Sequence, residues 1–167
     1  MLEEVKDYLK ENPDKKVALF SDMDGVLARI EVDITEAIPR NEKDYFLNRK
    51  PLKTVIAKLE ELSSFPNLDF YILSACSFED QARDKSIWLK KNAPFFEPNN
   101  QLFVIKEIVQ YTKENKTEIK TKVIDDVIEK QHYDKVVYVE DEYLMLKKAQ
   151  KKLQDKIICI HISSFID

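Results

Sequence analysis

The sequence predicts an α/β fold in which helices flank a parallel β-sheet, and three observations support this prediction. Several short runs are almost entirely apolar, such as 136–139 (VVYV), which is typical of strands buried on both faces. Segments with apolar residues at helical spacing lie between these runs. The connections between successive runs are a dozen residues or longer, which is the length that parallel strands need.

The first part of the chain alternates helices and strands around one irregular segment. An amphipathic helix at 2–11 precedes an apolar strand at 16–20. Residues 28–50 are irregular and charged, and they predict a loop or a small helical excursion. Pro51 is well placed to begin the next helix, because proline suits the first helical position. A turn then leads into a strand at 68–74.

The second part of the chain continues the alternation. The expected elements are helix 78–92, strand 102–105, helix 122–131, strand 136–139, helix 144–153 and strand 157–162. Residues 106–116 are ambiguous between helix and loop, and the charge-rich tract 106–122 is expected to be a solvated surface.

Length and composition limit the classes of protein to which this chain can belong. Its 167 residues predict one domain, 1–167. With 27 Lys+Arg against 31 Asp+Glu, the chain lacks the basic field that coating a nucleic acid requires, although a nucleotide substrate is not excluded. Two cysteines are too few for a disulfide framework or a zinc cluster. The apolar runs are too short to span a membrane, so a soluble cytoplasmic protein is expected.

Polar side chains follow the apolar runs at the point where each predicted strand ends. In open parallel sheets, ligands bind outside the carboxyl ends of the strands. The residues at these ends are Asp22, Asp24, Ser74, Glu140 and Asp141. Lys120 and Lys122 precede the fourth strand by one helix. The sequence therefore predicts a crevice that holds carboxylates, a hydroxyl group and at least one ammonium group.

This set of side chains supports phosphoryl transfer through an aspartyl-phosphate. Asp22 would attack phosphorus, and Asp24 would protonate the leaving oxygen and then activate water. Ser74 and a lysine would contact the phosphoryl oxygens. Several carboxylates in one crevice repel each other unless a hard cation joins them, and oxygen-only ligation suits Mg²⁺. Gly25, which is the only glycine in the chain, would let the backbone turn sharply after the two aspartates.

The segment 19–27, LFSDMDGVL, resembles the first motif of the haloacid dehalogenase (HAD-like) superfamily, hhhhDxDGV. Ser74 is similar to the second motif of that superfamily, Lys122 to the third, and 136–141 to the acidic fourth. The resemblance implies a Rossmann-like sheet (the HAD-like core) with a small cap inserted between residues 28 and 50. An aspartate at position 24 implies a phosphatase or phosphomutase rather than a dehalogenase.

The resemblance also implies a role for each residue of the site. Asp22 is implied to be the nucleophile and Asp24 the acid/base. The residues implied to hold Mg²⁺ are Asp22, Asp24, Glu140 and Asp141. The fourth motif departs from the family pattern, because Glu140 stands where the family has Asp or Gly, and Met145 where it has a second Asp.

A narrower resemblance adds a second candidate lysine. The segments 22–28, 44–46 and 84–89 look like the 5′-(3′)-deoxyribonucleotidase branch, in which the lysine of a K-x-x-W segment serves as the third motif. That lysine is Lys85 here, so Lys122 and Lys85 both remain candidates for the phosphate contact. The pair at 125–126 imitates an Asp-Asp fourth motif, but the apolar spacing around it predicts a helix.

The sequence thus predicts a Mg²⁺-dependent phosphomonoester hydrolase that acts on a small phosphomonoester, with a nucleotide as the favoured substrate. Residues of the 28–50 segment would bind a second phosphate or stack on a base, or would simply cover the sheet edge; they are Arg29, Arg40, Arg49, Tyr45 and Phe46. Three alternatives remain: a phosphomutase, a non-catalytic HAD-like module that binds phosphate or a protein, and a receiver-like module that a partner phosphorylates.

Overall fold

One parallel sheet of five strands organises the protein, whose computed structural model describes residues 2–30 and 44–165. The strands are β1 (Val17–Ser21), β2 (Leu68–Cys76), β3 (Gln101–Ile105), β4 (Lys135–Glu140) and β5 (Ile157–His161). Their order across the sheet is β3-β2-β1-β4-β5, and every neighbouring pair is parallel. The parallel sheet predicted from the apolar runs is therefore confirmed.

Helices cover both faces of this sheet. They are α1 (Leu2–Glu11), α2 (Lys53–Glu61), α3 (Glu79–Asn92), α4 (Lys106–Val109), α5 (Lys116–Gln131) and α6 (Tyr143–Leu153). Short 3₁₀ turns lie at Leu62–Ser64, Pro98–Asn100, Gln154–Lys156 and Ile162–Phe165.

Two hydrophobic cores lie on opposite sides of the sheet. Side chains alternate along β1, so that Val17 and Leu19 pack in one core and Ala18 and Phe20 in the other. The first core includes buried residues of α1, α2 and α3, and the second includes buried residues of α5 and α6. Because both faces are covered, the strands are apolar along almost their whole length.

The strand order creates a crevice at the carboxyl end of β1. The chain builds outward through β2 and β3 on one side of β1, and then crosses back to place β4 on the other side. Such a reversal is where open α/β sheets bind ligands. Ser21 pairs with Ile72 of β2 and Val139 of β4. The residues that follow these three therefore emerge at the same edge of the sheet.

The largest difference from the predicted elements is at α5, which begins at Lys116 rather than at 122. The apolar residues that predicted this helix begin only at Val123, whereas its first turns bury polar residues, including Lys120 and Thr121. The ambiguous segment 106–116 contains the short helix α4. Residues 125–126 lie inside α5, which confirms that they do not end a strand.

The predicted cap at 28–50 lies partly outside the described residues, which resume at 44. Phe46 and Arg49 are buried, and the backbone carbonyl of Arg49 accepts a 2.7 Å hydrogen bond from Trp88 Nε1 of α3. This part of the segment therefore packs against the core. No helix within the described ranges has the length and apolar character that crossing a membrane requires.

Candidate active site

The turn after β1 presents the two aspartates of the first motif. The backbone N–H of Asp22 still donates to the carbonyl of Val139, at 3.0 Å, so β1 stays paired with β4 up to this residue. The chain then folds back, and the carbonyl of Met23 accepts hydrogen bonds from the backbone N–H groups of Leu27 and Ala28, at 2.9 and 2.8 Å. Gly25 takes a φ of +83° within this turn, which glycine adopts without steric cost.

Lys85 and Ser74 hold Asp24 on the side of the site formed by β2 and α3. Lys85 Nζ lies 2.6 Å from Asp24 Oδ2, 2.9 Å from Ser74 Oγ and 2.9 Å from the carbonyl oxygen of Ala75. The Lys85 side chain is fully buried, and these three acceptors satisfy its three N–H donors. Phe46 covers the ammonium group, with its ring centroid 4.7 Å from Nζ.

Lys120 and Glu140 form a second buried ion pair on the other side of Asp22. Lys120 Nζ donates to Glu140 Oε2 at 2.8 Å and lies 3.4 Å from Asp22 Oδ1. Burial by itself would lower the pKa of Lys120, but the negative charges of Asp22 and Glu140 and the hydrogen bond to Glu140 hold that pKa well above its usual value. Lys120 is therefore a permanent cation beside Asp22.

Every oxygen of the Glu140 carboxylate is already bonded. Oε2 accepts from Lys120 and from the hydroxyl of Tyr138, at 2.7 Å, and Oε1 accepts from the backbone N–H groups of Asp141 and Glu142. Burial opposes ionisation of Glu140, yet Lys120 and these hydrogen bonds lower its pKa below the usual value. Glu140 is thus an ionised carboxylate that positions Lys120.

Three carboxylates crowd together at the ends of β1 and β4. Oxygens of Asp22, Glu140 and Asp141 lie within 4.8 Å of one another. Burial, and then the charge of Glu140, raises the pKa of Asp22. Burial, the hydrogen bond with Glu140 and the charge of Asp22 raise the pKa of Asp141 to about 8. Asp22 Oδ1 is buried without a hydrogen-bond partner among the described residues. A cluster of buried carboxylate oxygens that repel one another fits a hard divalent cation.

A cavity of about 300 Å³ opens over these groups. Its lining includes the site residues Asp22, Asp24, Ser74, Lys120 and Asp141, which we call the inner part. We call its other polar lining residues at half-buried or exposed positions the outer part, and these include Lys106, Tyr111, Lys113, Lys116 and Glu142. Lys116 Nζ pairs with Glu142 Oε1 at 2.6 Å, and the Tyr111 hydroxyl donates to the carbonyl of Cys76 at 3.2 Å.

The structure brings most of the predicted site residues together. Asp22, Asp24, Ser74, Lys85, Glu140 and Asp141 meet at the carboxyl edge of the sheet, as described above. The carboxylate of Asp24 binds Lys85 and is not a member of the three-carboxylate cluster. The arrangement thus separates Asp24 from the groups that crowd around Asp22.

Lys122, one of the two lysines expected at the phosphate, does not line the cavity. Lys122 is exposed on α5, whereas Lys120 is buried in the site. Two residues along a helix correspond to about 200° of rotation, so the two lysines cannot point to the same side. The sequence contains a signal for Lys120, because Ile124 and Ile128, four and eight residues on, are the buried residues of the same helix face.

The tract 106–122 is only in part the solvated surface that was expected. Lys106, Lys113, Lys116 and Lys120 all line the cavity. The chain segment before α5 has no apolar periodicity, so the sequence contains no signal that places these lysines at the site.

Of the described cap residues, Ile30 lines this cavity, whereas Arg29, Tyr45, Phe46 and Arg49 do not. Arg29 lines a separate pocket with Pro51 and Leu52. Arg49 hydrogen bonds to the hydroxyl of Tyr45 and lies 4.9 Å from the centre of its ring. Both contacts between Arg49 and Tyr45 lie within the 28–50 segment itself. Arg40 lies outside the described residues.

Comparisons with known proteins identify the fold. A crystal structure of a class C acid phosphatase from Bacillus anthracis with tungstate bound matches with a TM-score of 0.57 and 16% sequence identity. The match covers 94% of this chain and 71% of that chain. It confirms the predicted α/β fold with a Rossmann-like parallel sheet. No protein-family model and no curated protein matches the sequence.

Proposed function

We propose that the protein is a phosphomonoester hydrolase that acts through an aspartyl-phosphate on Asp22. The observation that carries the proposal is that each of the two aspartates after β1 lies beside a different buried lysine. Lys120 lies beside Asp22 and Lys85 beside Asp24. One aspartate can therefore act as a nucleophile while the other exchanges protons. The likeness in fold to a phosphatase supports this assignment.

Asp22 is suited to attack phosphorus. Asp22 lines the cavity, and its Oδ1 accepts no hydrogen bond within the described residues, although Lys120 Nζ lies 3.4 Å from it, so a lone pair stays available. Burial raises the pKa of Asp22, and the neighbouring ammonium group of Lys120 favours the ionised form that a nucleophile needs. The attack forms an oxygen–phosphorus bond and breaks the bond from phosphorus to the leaving oxygen.

Asp24 is suited to exchange protons with the leaving oxygen and with water. Lys85 binds Asp24 Oδ2, whereas Oδ1 is without a hydrogen-bond partner among the described residues. Oδ1 donates a proton to the leaving alkoxide in the first step. In the second step it takes a proton from water, whose oxygen attacks phosphorus and releases phosphate and the free Asp22 carboxylate.

Ser74 is suited to bind a phosphoryl oxygen, whereas Lys85, whose three N–H groups are already bonded, positions Ser74 and Asp24. Because Ser74 Oγ accepts a hydrogen bond from Lys85, its hydroxyl proton remains for another acceptor. Ser74 lines the cavity beside Asp24. This hydroxyl would donate to one phosphoryl oxygen, and the buried cations around it stabilise the negative charge on the others.

Asp22 and Asp141 would hold a divalent cation, for which Mg²⁺ is the proposal. Burial and the negative charges of neighbouring carboxylates raise the pKa values of both side chains, and a divalent cation would offset this excess of negative charge. The oxygens of Glu140 are already bonded, so Glu140 contributes its charge rather than a free ligand atom. When bound, the cation supplies a positive charge that neutralises phosphoryl oxygens.

A small phosphomonoester is the proposed substrate, because the cavity is at the lower end of the size range of ligand pockets. The nucleotidase specificity stays a prediction. The aromatic residues that were candidates for base stacking are engaged elsewhere, since Tyr45 contacts Arg49 and Phe46 covers Lys85.

Phosphate release from a panel of phosphomonoesters, including ribo- and deoxyribonucleoside monophosphates, tests the proposal. The panel is run with Mg²⁺ and with excess EDTA, on the wild-type protein and on Asp22→Asn. Asp126→Asn is the matched control, because Asp126 is exposed on α5. Metal-dependent release that disappears only in Asp22→Asn would support the proposal. A folded protein that binds phosphate esters without releasing phosphate would support the non-catalytic alternative, and isomerised esters would support the phosphomutase.

A further inference from the structure

Three lysines surround the outer part of the active-site cavity: Lys106, Lys113 and Lys116. Lys116 pairs with Glu142 at 2.6 Å. Within residues 2–30 and 44–165, no ion pair joins Lys106 or Lys113 to a carboxylate. The outer part of the cavity therefore has three cations and one carboxylate, that of Glu142, which gives it an excess of positive charge.

The lysines of α5 form a series that leads away from the reacting group. Lys120 lies 3.4 Å from Asp22, and Lys116 precedes it by four residues on the same face of the helix. Four residues correspond to about 6 Å along a helix axis. Lys113 lies three residues further back, in the turn before the helix.

Lys106 reaches the cavity from a different element. It is the first residue of α4, directly after β3. The backbone N–H of the next residue, Glu107, donates to the carbonyl of Ser77 at 3.1 Å. This bond ties the start of α4 to the chain that follows β2. The outer cations thus come from two separate segments that converge on one opening.

The inner lysines are already neutralised by the site itself. Lys85 pairs with Asp24, and Lys120 pairs with Glu140 and Asp22. A phosphoryl group that reacts with Asp22 must lie against this inner set. Lys106, Lys113 and Lys116 then face the part of the substrate that leaves with the alcohol.

We propose that Lys106, Lys113 and Lys116 bind a second anionic group of the substrate, a phosphate or a carboxylate carried by the leaving alcohol. The second anion lies roughly one helical turn or more from the phosphorus under attack. This inference rests on the proposed phosphatase function and narrows its substrate class to phosphomonoesters with a further negative charge. Charge-assisted contacts to the second anion strengthen binding without taking part in the chemistry.

Two matched substrate pairs test this proposal and distinguish the two anions. The first pair is 3-phosphoglycerate and glycerol 3-phosphate, which differ in one carboxylate. The second pair is fructose 1,6-bisphosphate and fructose 6-phosphate, which differ in one phosphate. We expect kcat/KM to be higher for the more anionic member of at least one pair, and that preference to decrease at high ionic strength.

The double variant Lys106→Gln/Lys113→Gln removes two of the three outer charges and leaves Lys116 and the inner ion pairs in place. We expect kcat/KM for the preferred substrate to fall by about tenfold, the size typical of one lost charge-assisted contact at a partly exposed site. The less anionic partner should change by less than about twofold. Lys122→Gln is the matched control, because Lys122 is exposed on the same helix outside the cavity, and it should leave both substrates unaffected.

Binding to Asp22→Asn provides a readout that does not depend on turnover. Calorimetry with this variant should show tighter binding of the more anionic substrate, and the two lysine substitutions should remove the difference. Equal binding within both pairs, or an equal loss for both members in the lysine variant, would overturn the proposal. Absence of phosphate release from every ester would contradict the proposed function. Phosphate release at equal kcat/KM within both substrate pairs would contradict only this inference.

Discussion

Gly25 and Asp141 approach so closely that no other residue can replace the glycine without moving the carboxylate. A Cβ placed on Gly25 would lie 2.2 Å from Asp141 Oδ2, well inside van der Waals contact. The φ of +83° adds a second constraint, because residues with a side chain rarely adopt it. The glycine of the first motif therefore connects the turn after β1 to the acidic group after β4.

Gly25→Ala should damage the site more than the fold. The strained φ should cost about 1–3 kcal/mol of unfolding free energy, while displacement of Asp141 should weaken Mg²⁺-dependent turnover by at least about tenfold. Urea unfolding and phosphate release measure the two effects. Gln154→Ala is the matched control, since Gln154 also has a positive φ, 50°, but lies after α6 and outside the cavity lining. Full activity in Gly25→Ala would contradict the role of this contact.

Asp24→Asn should separate the two chemical steps. An amide cannot exchange the proton, so turnover of an ordinary alkyl phosphate should fall by about 10²–10⁴-fold. An ester with an acidic leaving group, such as p-nitrophenyl phosphate, needs no proton for the first step. With that ester, we expect a burst of p-nitrophenol and a phosphorylated protein detectable by mass spectrometry. If the phosphoryl group were found on a residue other than Asp22, the assignment of the nucleophile would be wrong.

Lys120→Met and Lys122→Met should differ sharply in stability. Removing Lys120 leaves Glu140 buried without its cation, which should cost about 3–5 kcal/mol of unfolding free energy. Lys122 is exposed, and its replacement should change stability by less than about 0.5 kcal/mol. Chemical denaturation measures both variants. Restoration of stability in Lys120→Met/Glu140→Gln would show that the unpaired charge causes the loss, and similar stabilities for the two single variants would contradict the buried ion pair.

The stability of the metal-free protein should depend on Asp141 and pH. Its pKa is raised from 3.8 to about 8 in the folded state, so between these values the folded protein binds more protons than the unfolded chain. Its contribution to stability therefore decreases as pH rises from about 4 to 8. In EDTA, Asp141→Asn should remove this part of the pH dependence and raise the melting temperature at pH 8.

Mg²⁺ should offset the decrease in stability at high pH, because it binds the ionised carboxylates. At pH 8 we expect Mg²⁺ to raise the Tm of the wild-type protein, because a ligand that binds only the folded state stabilises it. Asp141→Asn should lose most of this increase, whereas Asp126→Asn should keep it. An equal increase in all three proteins would place the ion elsewhere.

The sequence predicted the strands and the residues at their ends. Apolar runs and turn residues are local features, so Asp22, Asp24, Ser74, Glu140 and Asp141 could be assigned to one edge once the sheet was known to be parallel. These parts needed no knowledge of side-chain packing.

Local sequence patterns were not enough to identify the lysines of the site. The sequence offered Lys85 and Lys122 for one phosphate contact, but the tertiary structure buries Lys85 and Lys120, each beside a different aspartate. Which lysine of a charged helix points inward depends on where the helix starts and on the sheet against which it packs. The same applies to Lys106 and Lys113, which reach the cavity only because two distant segments converge. The sequence by itself determined the fold class and the acidic residues of the site, because both follow from residues that are close to one another along the chain. Only the tertiary structure showed which lysines lie in the site, because a charged side chain is buried only where the fold supplies its partner.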